Sequence, residues 1–394
     1  MKSCLAVLAI VALVMSQTAG VSFAFAVSQK AVGDQKVLVI MAKFPDIDPS
    51  FSIETQKQKY FDKLNRYLQS VSYEQARITG KVTNWYTLPH EVKSYRLSKH
   101  NLEVDNSRVL RLIQDSLDLA DEDENLSDYS MVFISLGAKT QDYGMMGLCG
   151  YPGMLGWQTE LPIKTKKRGQ EIPGGVAIYC ENAHAGVVFH DMAHIMGGVQ
   201  EGKRILPCLY DHDLQAQSGP FRGYYQFYLI HVGYYDPMSC HFYDLRQGPP
   251  GVCAWTKMRL NWIPSRKMTD VPRGEDRTVI LGPLSEGRSG VLTIRAPIDS
   301  TAYYLIENRQ PVGPDRNLPS HGVLIYYCDD KVSECRHGRS PIKVIDADPA
   351  VPELKGAPFT IKGKSTFEDE ARKVTVKIIS QEGSGLKVYV SNGK

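Results

Sequence analysis

The stretch at residues 186–198, GVVFHDMAHIMGG, constrains this chain more than any other. Val187, Val188, Phe189, Met192, Ala193, Ile195 and Met196 make it an apolar helix bound for a core. His190, Asp191 and His194 interrupt it. A core gains nothing from three ionisable groups unless something inside the fold satisfies them. His190 and His194 are four apart, so a helix carries both imidazoles on one face, one turn apart. That spacing lets a helix offer two ligands to one zinc ion. Hydrogen-bonded core histidines are the competing reading.

The chain has 394 residues, enough for two or three domains. Its net charge of +3 makes no electrostatic case for nucleic acid or an anionic membrane. Lys2, the apolar run at 4–15 and the small-x-small sites at 22–24 and 24–26 read as a signal peptide over 1–26. The expected location is therefore extracellular or at the cell surface. No later stretch is long and apolar enough to span a bilayer, so no stable membrane insertion is expected once the leader is gone. Seven of the eight cysteines follow the leader. In an exported protein they are expected to form disulfides, with Cys328 and Cys335 the easiest pair to propose. An odd number leaves at least one thiol free, metal-bound or intermolecular.

Read in order, 36–44 is a central strand closed by a Pro-Asp turn, and 53–71 is a helix. Residues 73–86 alternate as a hairpin turning at Thr79-Gly80. Residues 107–121 form an amphipathic helix, with Val109, Leu112, Ile113, Leu117 and Ala120 as its stripe. Residues 130–136 are a second buried strand. Residues 137–175 look like a surface excursion, and 176–179 like an edge strand leading into the histidine helix. Residues 200–251 carry the composition of cleft walls. After a helix over 252–263, short β-rich runs recur from about 271 onward. The expected fold is α+β: a domain over 27–270 with a mixed sheet and the histidine helix, then a β-sandwich-like domain over 271–394.

The third metal ligand stays open at this level. Gly197 lies where the helix has to break so that a later segment can reach the metal. Residues 206–213, LPCLYDHD, then bring Cys208, Asp211, His212 and Asp213. Asp211 comes first, because a carboxylate is available without consuming a cysteine. Cys208 comes second, as a thiolate binds zinc well, and a disulfide is its alternative fate. His212 is third. Asp213 is a candidate to orient a ligand histidine.

Taken together, several segments resemble the immune-inhibitor-A-like family of secreted zinc metallopeptidases, a metzincin-like group. They are KVLVIMAKFPD near the start, SYEQARITGKVTNWYTLPH at 72–90, the HDMAH helix, LPCLYD at 206–211, YYDPMS at 234–239, AWTKMRLNWI at 254–263, and YYLIENRQ, LPSHGVLIYYCDD, KVIDADP and APFT beyond 300. The resemblance implies a zinc ion held by His190 and His194, a methionine turn at Met238, and Asp191 at the position of the general base. Three departures stand out. Asp191 replaces the family's glutamate. The segment after Gly197 is longer than the family's. If LPCLYD corresponds to the family's L-P-D-L-Y-D, its ligand aspartate has become Cys208, whereas strict metzincin spacing points to Gln200.

By this resemblance the protein is a secreted zinc endopeptidase acting on a protein or peptide substrate. A zinc-activated water attacks the scissile carbonyl, Asp191 moves the proton, and Tyr234 or Tyr235 is placed to polarise the oxyanion. The alternative is a catalytically impaired homologue that serves as a zinc-stabilised binding or cell-surface protein. Asp315, Asp329, Asp330, Asp346 and Asp348 offer hard oxygen ligands for a structural calcium ion. Glu307-Asn308-Arg309 reads as a structural hydrogen-bond knot.

Overall fold

The structure, a computed structural model, describes residues 25–98, 104–157, 163–172, 174–212, 230–239, 244–288 and 290–393. Most of the expected leader, together with Asp213 and Cys240, lies outside these residues. The fold is mixed α/β.

Strand β1 (Gly33–Lys43) is an interior strand of the first sheet, second from its edge. Its apolar run from Val37 to Ala42 is fully buried, as suits a strand covered on both faces. Helices α1 (Ile53–Lys57) and α2 (Asn65–Val71) follow, joined by a π-helical stretch, Gln58–Leu64. Ser52 caps α1 by accepting from Thr55 N. Strand β2 (Ala76–Thr87) then runs parallel to β1.

The expected hairpin at 73–86 is therefore a single strand. Gly80 pairs with Val37 at φ +134°, and a Cβ there would lie 1.9 Å from the Val37 carbonyl oxygen. This glycine permits a close strand approach and does not form a turn.

Helix α3 (Val92–Tyr95) precedes α4 (Asn106–Ala120), which Asp105 caps and whose predicted stripe is buried. Strand β3 (Met131–Leu136), helix α5 (Thr140–Tyr143), and strands β4 (Gly147–Tyr151) and β5 (Val176–Cys180) complete the sheet. Its order is β2-β1-β3-β5-β4. Strand β5 pairs parallel with β3 on one side and antiparallel with β4 on the other. The expected edge strand is thus interior, because the excursion at 137–175 returns as β4 to cover it.

Helix α6 (Ala185–Gly197) follows β5, and a short ribbon, β6 (Val199–Gln200) and β7 (Lys203–Arg204), follows α6. Helix α7 (Ala254–Arg259) leads into two further sheets. One has the order β13-β12-β11-β10-β8, from β8 (Met268–Asp270), β10 (Thr293–Pro297), β11 (Ala302–Arg309), β12 (Gly322–Asp329) and β13 (Ile342–Val344). The other has the order β14-β15-β16-β9, from β9 (Glu275–Leu281), β14 (Thr366–Asp369), β15 (Val374–Glu382) and β16 (Gly385–Asn392).

Strand alternation sorts the side chains into layers. Leu38, Ile40 and Ala42 of β1 share a core with α4. Val37, Val39 and Met41 share the opposite core with Phe189, Met192 and Ala193 of α6. That second core continues across residue 270 to Leu305, Leu324 and Tyr326. Tyr304, Ile306, Val323 and Ile325 point the other way and pack with Val376, Val388 and Val390 of the last sheet.

The predicted knot at 307–309 is buried. The Arg309 guanidinium donates to Asp315, Glu307 and the carbonyls of Tyr235 and Gly251. Glu307 in turn accepts from Ala254 N at the start of α7. Among the described residues, no helix is long and apolar enough to cross a membrane.

Candidate metal centre

Helix α6 is capped by His184, whose ring nitrogen Nδ1 accepts from Gly186 N. It runs one residue further than the expected break: Gly197 is its last residue, against Leu206, and Gly198 turns the chain at φ +72°. The polypeptide then returns through the β6–β7 ribbon, which brings 204–208 back onto the helix.

The two histidines are buried and anchored from outside the helix. His190 Nδ1 lies 3.1 Å from the Pro237 carbonyl and His194 Nδ1 lies 2.7 Å from the Leu206 carbonyl. A carbonyl only accepts, so each Nδ1 carries the proton. The two Nε2 atoms then face each other at 2.9 Å, a distance that a proton on one ring bridges as a hydrogen bond. The same pair, with both rings neutral, offers two nitrogen lone pairs to a metal ion. Carbonyl-anchored Nδ1 atoms are also the usual support for histidines that bind metal through Nε2.

Cys208 completes the group. Its Sγ lies 3.6 Å from His190 Nε2 and 3.5 Å from His194 Nε2, and the three ligand atoms lie within 4.8 Å of one another. With Zn–N of about 2.05 Å and Zn–S of about 2.3 Å, a tetrahedral site separates N from S by roughly 3.6 Å and N from N by roughly 3.3 Å. The sulfur separations fit, and the nitrogen pair is somewhat tighter. Two neutral imidazoles and a thiolate form a borderline-soft donor set suited to zinc.

Burial opposes ionisation of the Cys208 thiol, but the Arg204 charge, His194 and the two histidine hydrogen bonds outweigh it. The thiol is held well below its ordinary range. Burial and the Arg204 charge push His194 down to about 4. Arg204 Nη2 sits 3.9 Å from the sulfur, Glu334 grips the same guanidinium at 2.6 and 2.9 Å, and the Trp157 ring lies 4.3 Å from it.

Asp191 is buried beside the histidines. It accepts a hydrogen bond from the Cys149 backbone N–H, and its Oδ2 has no partner among the described residues. Burial pushes its carboxyl up to about 7, against the lowering effect of His190.

Of the expected ligands, the structure gathers His190, His194 and Cys208. Asp211, the first choice for the third position, does not join them: its Oδ2 accepts from Gly338 N at 2.6 Å. His212 hydrogen-bonds Cys208 from the side, with its Nε2 3.2 Å from Glu334 Oε2 and 3.1 Å from Arg204 Nη2, and stays outside the group of three. Gln200 is exposed on β6.

Met238 is buried in the turn Pro237–Ser239. Its N–H donates to Asp236 Oδ1, its carbonyl accepts from Leu209 N, and Pro237 beside it supplies the carbonyl that holds His190. Tyr234 and Tyr235 donate to Glu353 and to the Leu354 and Lys355 carbonyls, so their hydroxyls serve contacts with the C-terminal half.

The expected disulfide between Cys328 and Cys335 is not formed. Cys328, on β12, packs into the core, whereas Cys335 Sγ donates to Ser340 Oγ. The six described cysteines after the leader are all buried free thiols. The five aspartates proposed for calcium form no metal-ligating group among the described residues. Asp315 is taken by Arg309 and Asp330 by Arg259, while Asp329 and Asp346 accept from nearby backbone N–H groups. Among the described residues, His190, His194 and Cys208 make the metal-ligating group.

Sequence reasoning missed Arg204, Glu334, Trp157 and Cys149. Arg204 lies four residues before Cys208 and was within local reach, but Glu334 is 130 positions from it and carries no local signature. Compared with known proteins, the chain matches no family model and no curated sequence.

Proposed function

We propose that His190, His194 and Cys208 hold one zinc ion, and that the protein is a secreted zinc-dependent endopeptidase with Asp191 as general base. The observation that carries this reading is the convergence of three ligand atoms, two of them imidazole nitrogens 2.9 Å apart, next to a buried carboxylate with an unpartnered oxygen. The resemblance to immune-inhibitor-A-like peptidases supports it further, as does Met238 in a turn that anchors His190. On this reading the N-terminal half is metzincin-like and the two C-terminal sheets are a β-sandwich.

Zinc supplies a Lewis acid that polarises the scissile carbonyl and acidifies water. The rest falls to the chain's own groups. Pro237 and Leu206 carbonyls hold the imidazoles with Nε2 outward. Arg204 balances the thiolate charge, which otherwise weakens the metal as an acid. Asp191 Oδ2 takes a proton from the attacking water and returns it to the leaving amine. Aspartate is one methylene shorter than glutamate, and a misplacement of about 1 Å can cost on the order of 100-fold in rate. The enzyme is therefore expected to be slow.

A second reading, a zinc-stabilised secreted binding or cell-surface protein, is favoured by one observation. His190, His194, Cys208 and Asp191 are each at most 5% exposed. Digestion of casein with and without a chelator separates the two. The peptidase reading expects chelator-sensitive cleavage, lost by about 100-fold or more in Asp191→Asn while zinc is retained, and raised in Asp191→Glu. Absence of chelator-sensitive cleavage at any pH overturns it in favour of the second.

A further inference from the structure

The connection between β12 and β13 brings the C-terminal half onto the metal centre. It closes on itself as a hairpin. Arg336 and Arg339 exchange backbone hydrogen bonds around His337 and Gly338, both at positive φ, and Lys343 Nζ donates to the Gly338 carbonyl. The hairpin docks on the segment that supplies Cys208. Gly338 N donates to Asp211 Oδ2 at 2.6 Å, and His212 N donates to the Cys335 carbonyl at 2.9 Å.

Glu334 sits in the middle of this contact. Its Oε1 accepts from Arg204 Nε at 2.9 Å and its Oε2 from Arg204 Nη2 at 2.6 Å, a two-point fork that fixes the guanidinium plane. The same Nη2 lies 3.9 Å from Cys208 Sγ. Glu334 Oε2 also lies 3.2 Å from Nε2 of His212, the ring that hydrogen-bonds Cys208 from the side. Arg204 and His212, which approach the sulfur from outside the ligand trio, are thus held by one carboxylate. The Arg204 and Glu334 side chains are 2% and 12% exposed, so salt and water screen the pair little. Groups that orient and balance a metal ligand from behind change metal affinity by about 10–100-fold.

We propose that Glu334 is a positioning residue of the metal centre. It sets Arg204 and His212 against Cys208, and through it zinc occupancy and docking of the β12–β13 connection stabilise each other. The boundary expected near residue 270 therefore divides the chain but not the metal centre. This inference rests on the zinc reading and holds whether or not the centre cleaves peptides.

Two measurements on the full-length protein test it: zinc affinity, by competition against a chromogenic chelator, and hydrogen–deuterium exchange of residues 331–341 with and without zinc. Glu334→Gln is expected to bind zinc about tenfold more weakly. Glu334→Asp keeps a charge for the buried guanidinium, and with it the fold, but shortens the reach, so a loss of about threefold or more is expected. Because Glu334 acts chiefly through Arg204, the double variant of Arg204→Gln and Glu334→Gln is expected to bind within about threefold of Arg204→Gln alone. Zinc is expected to slow exchange across 331–341 in wild type and to lose that effect in Glu334→Gln. Wild-type affinity in Glu334→Asp reduces Glu334 to a counter-charge. Losses that multiply in the double variant separate it from Arg204, and exchange that ignores zinc uncouples the connection from the metal. Each of these overturns the proposal, as does wild-type affinity in Glu334→Gln, while the zinc reading stands. No zinc in wild type removes the zinc reading and the proposal with it.

Discussion

Arg204 is the residue on which the electrostatics of the metal centre turn. It places a permanent charge 3.9 Å from Cys208 Sγ and is itself fixed by Glu334 and the Trp157 ring. A thiolate buried without that cation would recover its proton and lose its lone pair for the metal. Arg204→Gln is therefore expected to weaken zinc about 10–100-fold without abolishing the site. Competition against a chromogenic chelator measures this, and an unchanged affinity would show that Arg204 only packs. At this scale the pairing of the two histidines was legible, because four-residue spacing puts both rings on one face of a helix. Cys208 was legible as one of three local choices. The sequence could not decide among them, because the choice depends on how the β6–β7 ribbon folds back: it presents Cys208 to the rings and leaves Asp211 to Gly338.

Individual elements were legible where periodicity is long and one-sided. The stripe of α4 and the apolar runs of β1 and β3 are buried as their patterns imply. Strand β2 was misread because a Thr-Gly pair between alternating residues resembles a hairpin turn, and nothing local distinguishes a turn glycine from one pressed against a neighbouring strand. The structure makes the difference measurable. Gly80 sits at φ +134° with the Val37 carbonyl where a Cβ would go. Gly80→Ala is expected to cost about 2 kcal/mol or more, read from urea unfolding. A loss within a few tenths of wild type would mean that β2 does not run against β1 in this register. Strand β4 escaped detection for a related reason: a five-residue edge strand, Gly147–Tyr151, gives too few alternations to rise above a Gly-rich background.

Over the whole molecule, the layers are held by polar groups as well as by apolar cores. Arg309 ties sheet β13-β12-β11-β10-β8 to the segment that leads into α7. Close to this network, Lys257 donates from the core to the Val71 carbonyl and faces the Tyr73 ring. Burial pushes its ammonium down to about 7 from an ordinary 10.5, and the nearby Asp315 opposes the shift. Between those values the unfolded chain binds the proton more readily than the folded one. The destabilising contribution of this lysine is therefore full below about pH 7 and fades as pH rises toward 10.5. Wild type is expected to gain stability relative to Lys257→Met between pH 7 and pH 9, measured by paired urea titrations. A constant difference would mean that the folded lysine keeps its proton throughout, as a solvated one does. Such long-range pairings leave no trace in local sequence patterns, which is why the layer order became visible only in three dimensions.

The central claim is that Cys208, with His190 and His194, holds one zinc ion. Metal content of purified wild type, Cys208→Ala and Asp211→Asn tests it directly. One zinc per chain in wild type and in Asp211→Asn, lost in Cys208→Ala, is the predicted result. Zinc retained without Cys208 but lost with Asp211→Asn, or no zinc in any of the three, would contradict it.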